Sequence, residues 1–532
     1  MSNATVAAVP AARTPSAEDK ASLSTWIAII AGSIGAFMAI LNIQITNASL
    51  LDIEGGIGTG IDNGAWISTS YLIGEIIVIP LTGYLSRVFS FKTYIIASTI
   101  AFALFSMACA SAHSLGEMIA LRGLQGFAGG VLIPMAFTMV ATRLPKSQQP
   151  VGLAMFALAV TFAPAIGPTI GGYLTENYGW QTIFFINTIP SMLMVAALYL
   201  TLEREPMQLG LLKEGDWFGI ATMAIGLSAL QTLLEEGNKD DWFQSPFIVR
   251  LAIIAVVFLT AFIWIELKIS KPLVDLRLLK NRNFGVATLA NILVGFALFG
   301  SVYVLPQYLG QVQGYNAEQI GMVLAWTGLP QILLIPLVPL MMKHFDVRYI
   351  TFVGIALFAV SCFMNIHMSL NYSGDQLFWP NIVRAIGQSM VITPLTAISI
   401  MNIQAKDAAN ASGLSNMLRN LGGAVGTAVL GTIITKREQF HSNIIGQSVT
   451  PFREEVRTRI DQMTNYFMAH GVSDQATAQH QAIISLGKTV KRQALVMGFS
   501  DTFAVIGIIL AIAAVAILFA KKGQGGGAAA AH

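Results

Sequence analysis

The chain has 532 residues, 54% hydrophobic and 11% charged, with a net charge of +3 at neutral pH. Soluble domains carry about 25% charged residues, so this composition excludes an ordinary soluble protein and places the chain among polytopic membrane proteins. The small, dispersed charge offers no nucleic-acid surface, and seven histidines, two cysteines and no clustered His, Asp and Glu in the loops indicate neither an enzyme nor a metal or other cofactor.

Residues 1–24, rich in Ala, Ser, Thr and Pro, lack a signal-peptide pattern and read as a flexible cytoplasmic tail. Fourteen apolar stretches follow, each long enough to cross about 30 Å of hydrocarbon. They lie near 26–48, 64–85, 93–111, 115–140, 151–174, 181–202, 217–234, 247–267, 285–309, 317–341, 349–368, 378–400, 409–433 and 500–520. With the N-terminus inside, the short inner segments hold most of the basic residues, among them Arg87, Lys92, Arg143, Lys146, Lys271, Lys343, Arg348, Lys406, Lys521 and Lys522, against Lys239 and Arg250 outside. Both termini are therefore expected in the cytoplasm. The expected organisation is an N-terminal six-helix half over 25–203, two inserted helices with linkers over 204–283, and a C-terminal six-helix half over 284–520. A Gly/Ala tail over 521–532 is expected to be disordered. Cys109 and Cys362 lie in apolar runs and read as packing.

In span one, Asn42, Thr46 and Ser49 form a polar strip, extended backward by Ala39 and Gly35. In span two, Ser68, Tyr71, Glu75 and Thr82 share one helical face. Two such strips facing each other would line an aqueous crevice. Glu75 lies about 15 Å from either end of the run from Trp66 to Leu85, at a rise of ~1.5 Å per residue. A charge at the bilayer centre costs at least ~2.5–3.5 kcal/mol, so the carboxylate marks an ion or substrate route, with a proton as its natural cargo. In span four, Arg122 is either a permanent clamp between helices or part of that route, and the residues leave both open. Span five carries Pro164, Gly167, Pro168, Gly171 and Gly172, the composition of a closely packed, bent helix. In span thirteen, Arg419 is the third arginine within apolar sequence. The hydrophilic segment 435–497 falls on the outer side and carries a helix-start signal at Thr450-Pro451. Its stripe of Val456, Ile460, Met463 and Phe467 serves either a self-packed hairpin or docking to another protein.

The chain also contains an internal repeat. Pro80, Arg87 and Lys92 recur as Pro336, Lys343 and Arg348 at a constant offset of 256, on spans two and ten. Arg122-x-x-Gln125-Gly126 in span four is echoed by Arg384-x-x-Gly387-Gln388 in span twelve, 262 residues on. The 256 offset pairs Glu75 with Gln331, so the second half keeps polarity there and lacks the proton. Repeated halves with a site at their interface are the architecture of alternating-access carriers.

These features resemble the major facilitator superfamily, and within it the fourteen-span drug:proton antiporter branch, the EmrB-like multidrug exporters. The resemblance runs over nearly the whole chain, through ITNASL, WISTSYLIGEIIVIPLTGYL, RGLQGFAGGVLIP, APAIGPTIGGYL, EEGNKDDWF, KPLVDLRLLKNRNF, LPQYLGQVQGY and SGLSNMLRNLGGAVGTA. Gly167-Pro168-x-x-Gly171-Gly172 looks like the family's antiporter signature, and Arg122 with Gln125-Gly126 like its proton-coupling signature. Arg87 stands where the superfamily pattern has an acid. Asn42 stands where the family usually has an Asp, and an amide exchanges no proton; either Glu75 alone carries coupling, or Asn42 marks a form with an altered proton cycle.

The resemblance implies an all-α fold of fourteen transmembrane helices in a bacterial inner membrane. It implies proton-driven export of hydrophobic, often cationic or weakly acidic compounds without a cofactor. It also implies a periplasmic EmrA-like adaptor and a TolC-like outer-membrane channel as partners, besides membrane lipids. Glu75, Arg122 and Asn42 are the expected proton-coupling positions. Tyr71, Gln307, Tyr308, Trp326, Asn416 and Arg419 are candidate drug contacts, chosen as polar or aromatic groups expected to line the cavity. The alternative reading is a carrier for a particular metabolite such as a fatty acid or siderophore.

Overall fold

The computed structural model describes residues 21–59, 63–145, 147–269, 272–401, 403 and 408–521. The expectations for residues 1–20 and 522–532, and for Lys146, Lys271 and Lys406, lie outside them. The described residues form helices and connecting turns, with no strand among them.

The first half comprises α1 (Leu23–Ala48), α2 (Leu50–Ile57), α3 (Ala65–Val88), α4 (Phe91–Ala110), α5 (Leu115–Gly129), α6 (Leu132–Arg143), α7 (Gln149–Tyr178), α8 (Thr182–Phe185) and α9 (Thr188–Thr201). Two further helices, α10 (Trp217–Glu236) and α11 (Pro246–Lys268), come next. The second half comprises α12 (Arg282–Tyr308), α13 (Ala317–Leu334), α14 (Val338–His344), α15 (Val347–Phe363), α16 (Gly374–Ser389), α17 (Ile392–Ile400), α18 (Ala408–Ser448), α19 (Glu454–Ala469) and α20 (Gln475–Ile517).

Twelve helical stretches among the described residues are long and apolar enough to cross a membrane, and α7, bent by 46° after Pro164, makes a thirteenth. Proline removes an N–H and crowds the preceding turn, which accounts for the bend. The remaining apolar run of the sequence forms α15, whose 17 residues reach only the lower limit for a span. Several spans start on side-chain caps. Ser114 accepts from the Glu117 amide at α5, and Ser373 with Gln376 makes a reciprocal capping box at the equivalent point of α16.

The repeat read from the sequence is a repeat of packing. In the first half α1 packs on α6, α7 and α9, α3 on α5, and α4 on α5 and α9. In the second half α12 packs on α17, α18 and α20, α13 on α16, and α15 on α16 and α20. The repeated basic residues do one job twice. Lys92 Nζ donates to the carbonyls of Tyr199 and Leu202, each at 2.6 Å, closing the end of α9. Arg348 Nη1 donates to the Ala520 carbonyl at 2.9 Å, just beyond α20. Both halves thus seal the C-terminal end of their last helix with a cation, where unpaired carbonyls collect.

The halves meet along α7 with α13 and along α3 with α18, and α10 packs against both members of the second pair. The hydrophilic segment expected over 435–497 begins without a break, because α18 simply continues past its apolar run to Ser448. The segment folds onto itself: α19 lies along α20, with Val456, Ile460, Met463 and Phe467 half-buried.

Candidate functional site

Glu75 lies mid-way along α3 and is 6% exposed. Its Cα and Cγ face Gly130, at the break between α5 and α6, where any larger residue would press on them. The Oε2 atom has no hydrogen-bond partner. Arg122, on α5, is the cation within electrostatic reach, yet the two groups form no ion pair.

Arg122 is fully buried and is held by neutral oxygens instead. Nη1 donates to Asn42 Oδ1 at 2.5 Å and to Gln125 Oε1 at 2.7 Å, and Nε donates to the Ile67 carbonyl at 3.2 Å. The Tyr71 ring covers the guanidinium at 4.4 Å from its centroid. Arg122 therefore ties α1, α3 and α5 together while keeping its formal charge uncompensated. The close approach of α3 and α5 depends on Gly126, where a Cβ would collide with the Tyr71 carbonyl oxygen.

The second half repeats this arrangement in different chemistry. Arg384, on α16, is 5% exposed and donates from Nη2 to Ser301 Oγ at 2.8 Å, the counterpart of the Asn42 contact. Gln331, at the position matching Glu75, donates from Nε2 to Gln388 Oε1 at 3.0 Å and to the Thr327 carbonyl at 2.6 Å. A titratable carboxyl is thus present on one side of the pseudo-symmetry, and an amide stands on the other.

The sequence pattern of the Major Facilitator Superfamily matches residues 32–427. The chain belongs to that superfamily. Among curated relatives, it is 34% identical to "Colistin resistance protein EmrB" of Acinetobacter baumannii, covering 94% of this chain and 97% of the relative. It is 31% identical to "Multidrug export protein EmrB" of Escherichia coli K12, covering 95% and 98%. It is 30% identical to "Fatty acid resistance protein FarB" of Neisseria gonorrhoeae, covering 94% and 97%. A solved structure of the superfamily's proton:xylose symporter XylE superposes with a TM-score of 0.56 at 13% identity, over 92% of this chain and 94% of that one, which shows the shared fold.

In this major facilitator protein the signature on α7 is a packing device. Gly167 sits against the Gln44 side chain, and a Cβ at Gly171 would lie 2.9 Å from the Ile45 carbonyl oxygen. Pro168 and Gly172 are buried on the same helix. The polar strip of α1 serves this contact too, since Ser49 Oγ meets Thr175 Oγ1 at 2.6 Å. Thr46 returns its hydroxyl to the Asn42 carbonyl at 2.8 Å. The strip of α1 is therefore buried inside the first half, because Asn42 turns to Arg122 and Ser49 to α7, while on α3 Tyr71 and Glu75 are buried, Ser68 is half-buried and donates to Asn47, and Thr82 lines a small cavity between the halves.

The structure does not bring the six candidate drug contacts together, and none lines either of two small cavities between the halves. Tyr71 is fully buried, with its hydroxyl donating to the Ala39 carbonyl at 3.2 Å. Tyr308 is fully buried and donates to the carbonyls of Ser369 and Tyr372, at 3.0 and 2.6 Å, fixing the turn before α16. Gln307, next to it, is half-buried. Trp326 is 44% exposed on an apolar stripe with Met322, Leu329 and Leu333, a face suited to lipid. Asn416 and Arg419 are buried on α18, where Gly295 makes room for the Arg419 backbone.

Sequence reasoning named Gln388 only as part of the echoed motif and passed over Ser301 and Glu266. The repeat carried a signal for Ser301 as well, because it lies 259 residues beyond Asn42. Glu266 is 1% exposed and accepts from the Val274 amide at 3.2 Å, holding the linker after α11 where Val274 lines a small cavity between the halves.

Proposed function

We propose that this chain is a proton-driven exporter of hydrophobic and amphipathic compounds in a bacterial inner membrane, with both termini cytoplasmic, serving as the membrane component of a tripartite pump. One observation carries the reading. Glu75 is a buried carboxyl with an unpartnered oxygen, beside an arginine already held by Asn42, Gln125 and Ile67. A proton can then join or leave Glu75 without breaking an ion pair, whereas a locked pair would cost several kcal/mol to open.

In this cycle Glu75 takes a proton from outside, and its neutral form allows the halves to reopen inward. Compound entering from the cytoplasm or inner leaflet favours release of the proton inward. An inward proton contributes about 2.3 kcal/mol per 100 mV of membrane potential, plus the pH term. The resistance relatives named above support an exported cargo of drug-like character. The test is transport in proteoliposomes with and without an imposed pH gradient. Gradient-dependent extrusion is expected from the unaltered chain and none from Glu75→Gln at equal amounts of folded protein; undiminished extrusion by that variant removes the proposal.

A further inference from the structure

Arg384 has no role in the proton cycle described above, and its surroundings are incomplete. It is 5% exposed, its one hydrogen bond among the described residues goes to Ser301, and its Nε has no partner. No carboxylate forms an ion pair with it among the described residues. Arg122 donates to three oxygens, although its Nη2 is also without a partner. A buried guanidinium answered by a single neutral hydroxyl is under-solvated, and buried charges are normally paired.

A second donor points the same way. Gln388 Nε2 is also buried without a partner. Its orientation is set by the Gln331 amide, which donates to Gln388 Oε1 and is itself held on the Thr327 carbonyl. Arg384 and Gln388 together line a small cavity whose apolar wall is Leu298 and Leu324 and whose far side is Pro164, from the opposite half.

The geometry points to an anion-binding site at this cavity, in which Arg384 and Gln388 hold one negative charge, either the carboxylate head group of an amphiphile or a free inorganic anion. Charge-assisted hydrogen bonds from a guanidinium suit a carboxylate, and the leucine wall suits the first carbons of its tail. Because Pro164 lies at the bend of α7, a tailed anion enters only when α7 moves off α13, so occupancy is tied to separation of the halves. The head-group case rests on the export reading, since the anion is then part of the cargo.

The test is binding to the purified full chain in lipid nanodiscs, with dansyl-undecanoic acid and its methyl ester as probes in chloride-free buffer. The acid is expected to bind about tenfold or more tighter than the ester, the worth of one charge-assisted hydrogen bond. Arg384→Gln is expected to erase that preference. Leu298→Trp, which fills the cavity and keeps the charge, is expected to erase it too, and covers the case in which Arg384→Gln does not fold. If the occupant is a free anion, chloride raises the thermal midpoint of the unaltered chain and of neither variant. Equal binding of acid and ester with no chloride effect overturns the site, as does a preference that survives in the folded variants. Binding is read without transport, so a failure of proton-driven export leaves this result standing, and the reverse holds.

Discussion

A guanidinium in the middle of an apolar bundle must find acceptors for its N–H groups, and Arg122 finds neutral ones on three helices. Hydrogen bonds to a charged group are worth about 1.5–3 kcal/mol each, so Asn42→Leu is expected to destabilise the first half by about that amount. A lowered thermal midpoint in detergent would show it; an unchanged midpoint would mean that Asn42 is dispensable to the clamp. Asn42→Asp keeps the acceptor and adds a second proton-exchanging group on Arg122. The ratio of proton flux to transported compound is therefore expected to change in proteoliposomes, and equal ratios in the two proteins would take position 42 out of the coupling route. The sequence showed both residues as intramembrane polar groups but not their bond, because 80 residues separate them. Lys92 makes a similar point: its place in the repeat was legible, while its closure of α9 required the fold.

At the scale of elements, α7 combines features legible in sequence with a partner that was not. Its prolines announce a bend and its glycines a close contact, and both are present. That the contact is α1 follows only from the packing of the half. Gly171→Val would push a branched side chain into the Ile45 carbonyl, and overpacking of this kind costs about 1–3 kcal/mol. Reduced yield and a lower thermal midpoint are the expected result, and a variant as stable as the parent would mean that α1 and α7 can part at little cost. The hydrophilic segment shows the limit of pattern reading. Its polarity marked the end of an apolar run, yet α18 continues unbroken from that run to Ser448.

Considered as a whole, the molecule is two related bundles joined along α7 with α13 and α3 with α18. Motion between them must open one of these seams. A Cβ at Gly321 of α13 would lie 2.5 Å from the Thr169 Cβ of α7, closer than two side chains can sit. Gly321→Val is therefore expected to wedge this seam open and to lower the thermal midpoint, since overpacking of this kind costs about 1–3 kcal/mol. A variant as stable as the parent would show that α7 and α13 part at little cost.

The sequence by itself determined the membrane class and the paired halves, and it picked out Glu75 as a carboxyl within an apolar helix. Hydrophobic length, scarce charge and a repeated order of basic residues are local properties, and the bilayer leaves few ways to satisfy them. The tertiary structure alone decided which polar groups meet: Asn42 with Arg122, Gln331 with Gln388, Ser301 with Arg384. It also turned Tyr71 and Tyr308 inward and Trp326 outward. Those outcomes depend on how each helix is rotated about its axis against its neighbours, and helices distant in sequence set that rotation by filling space around one another.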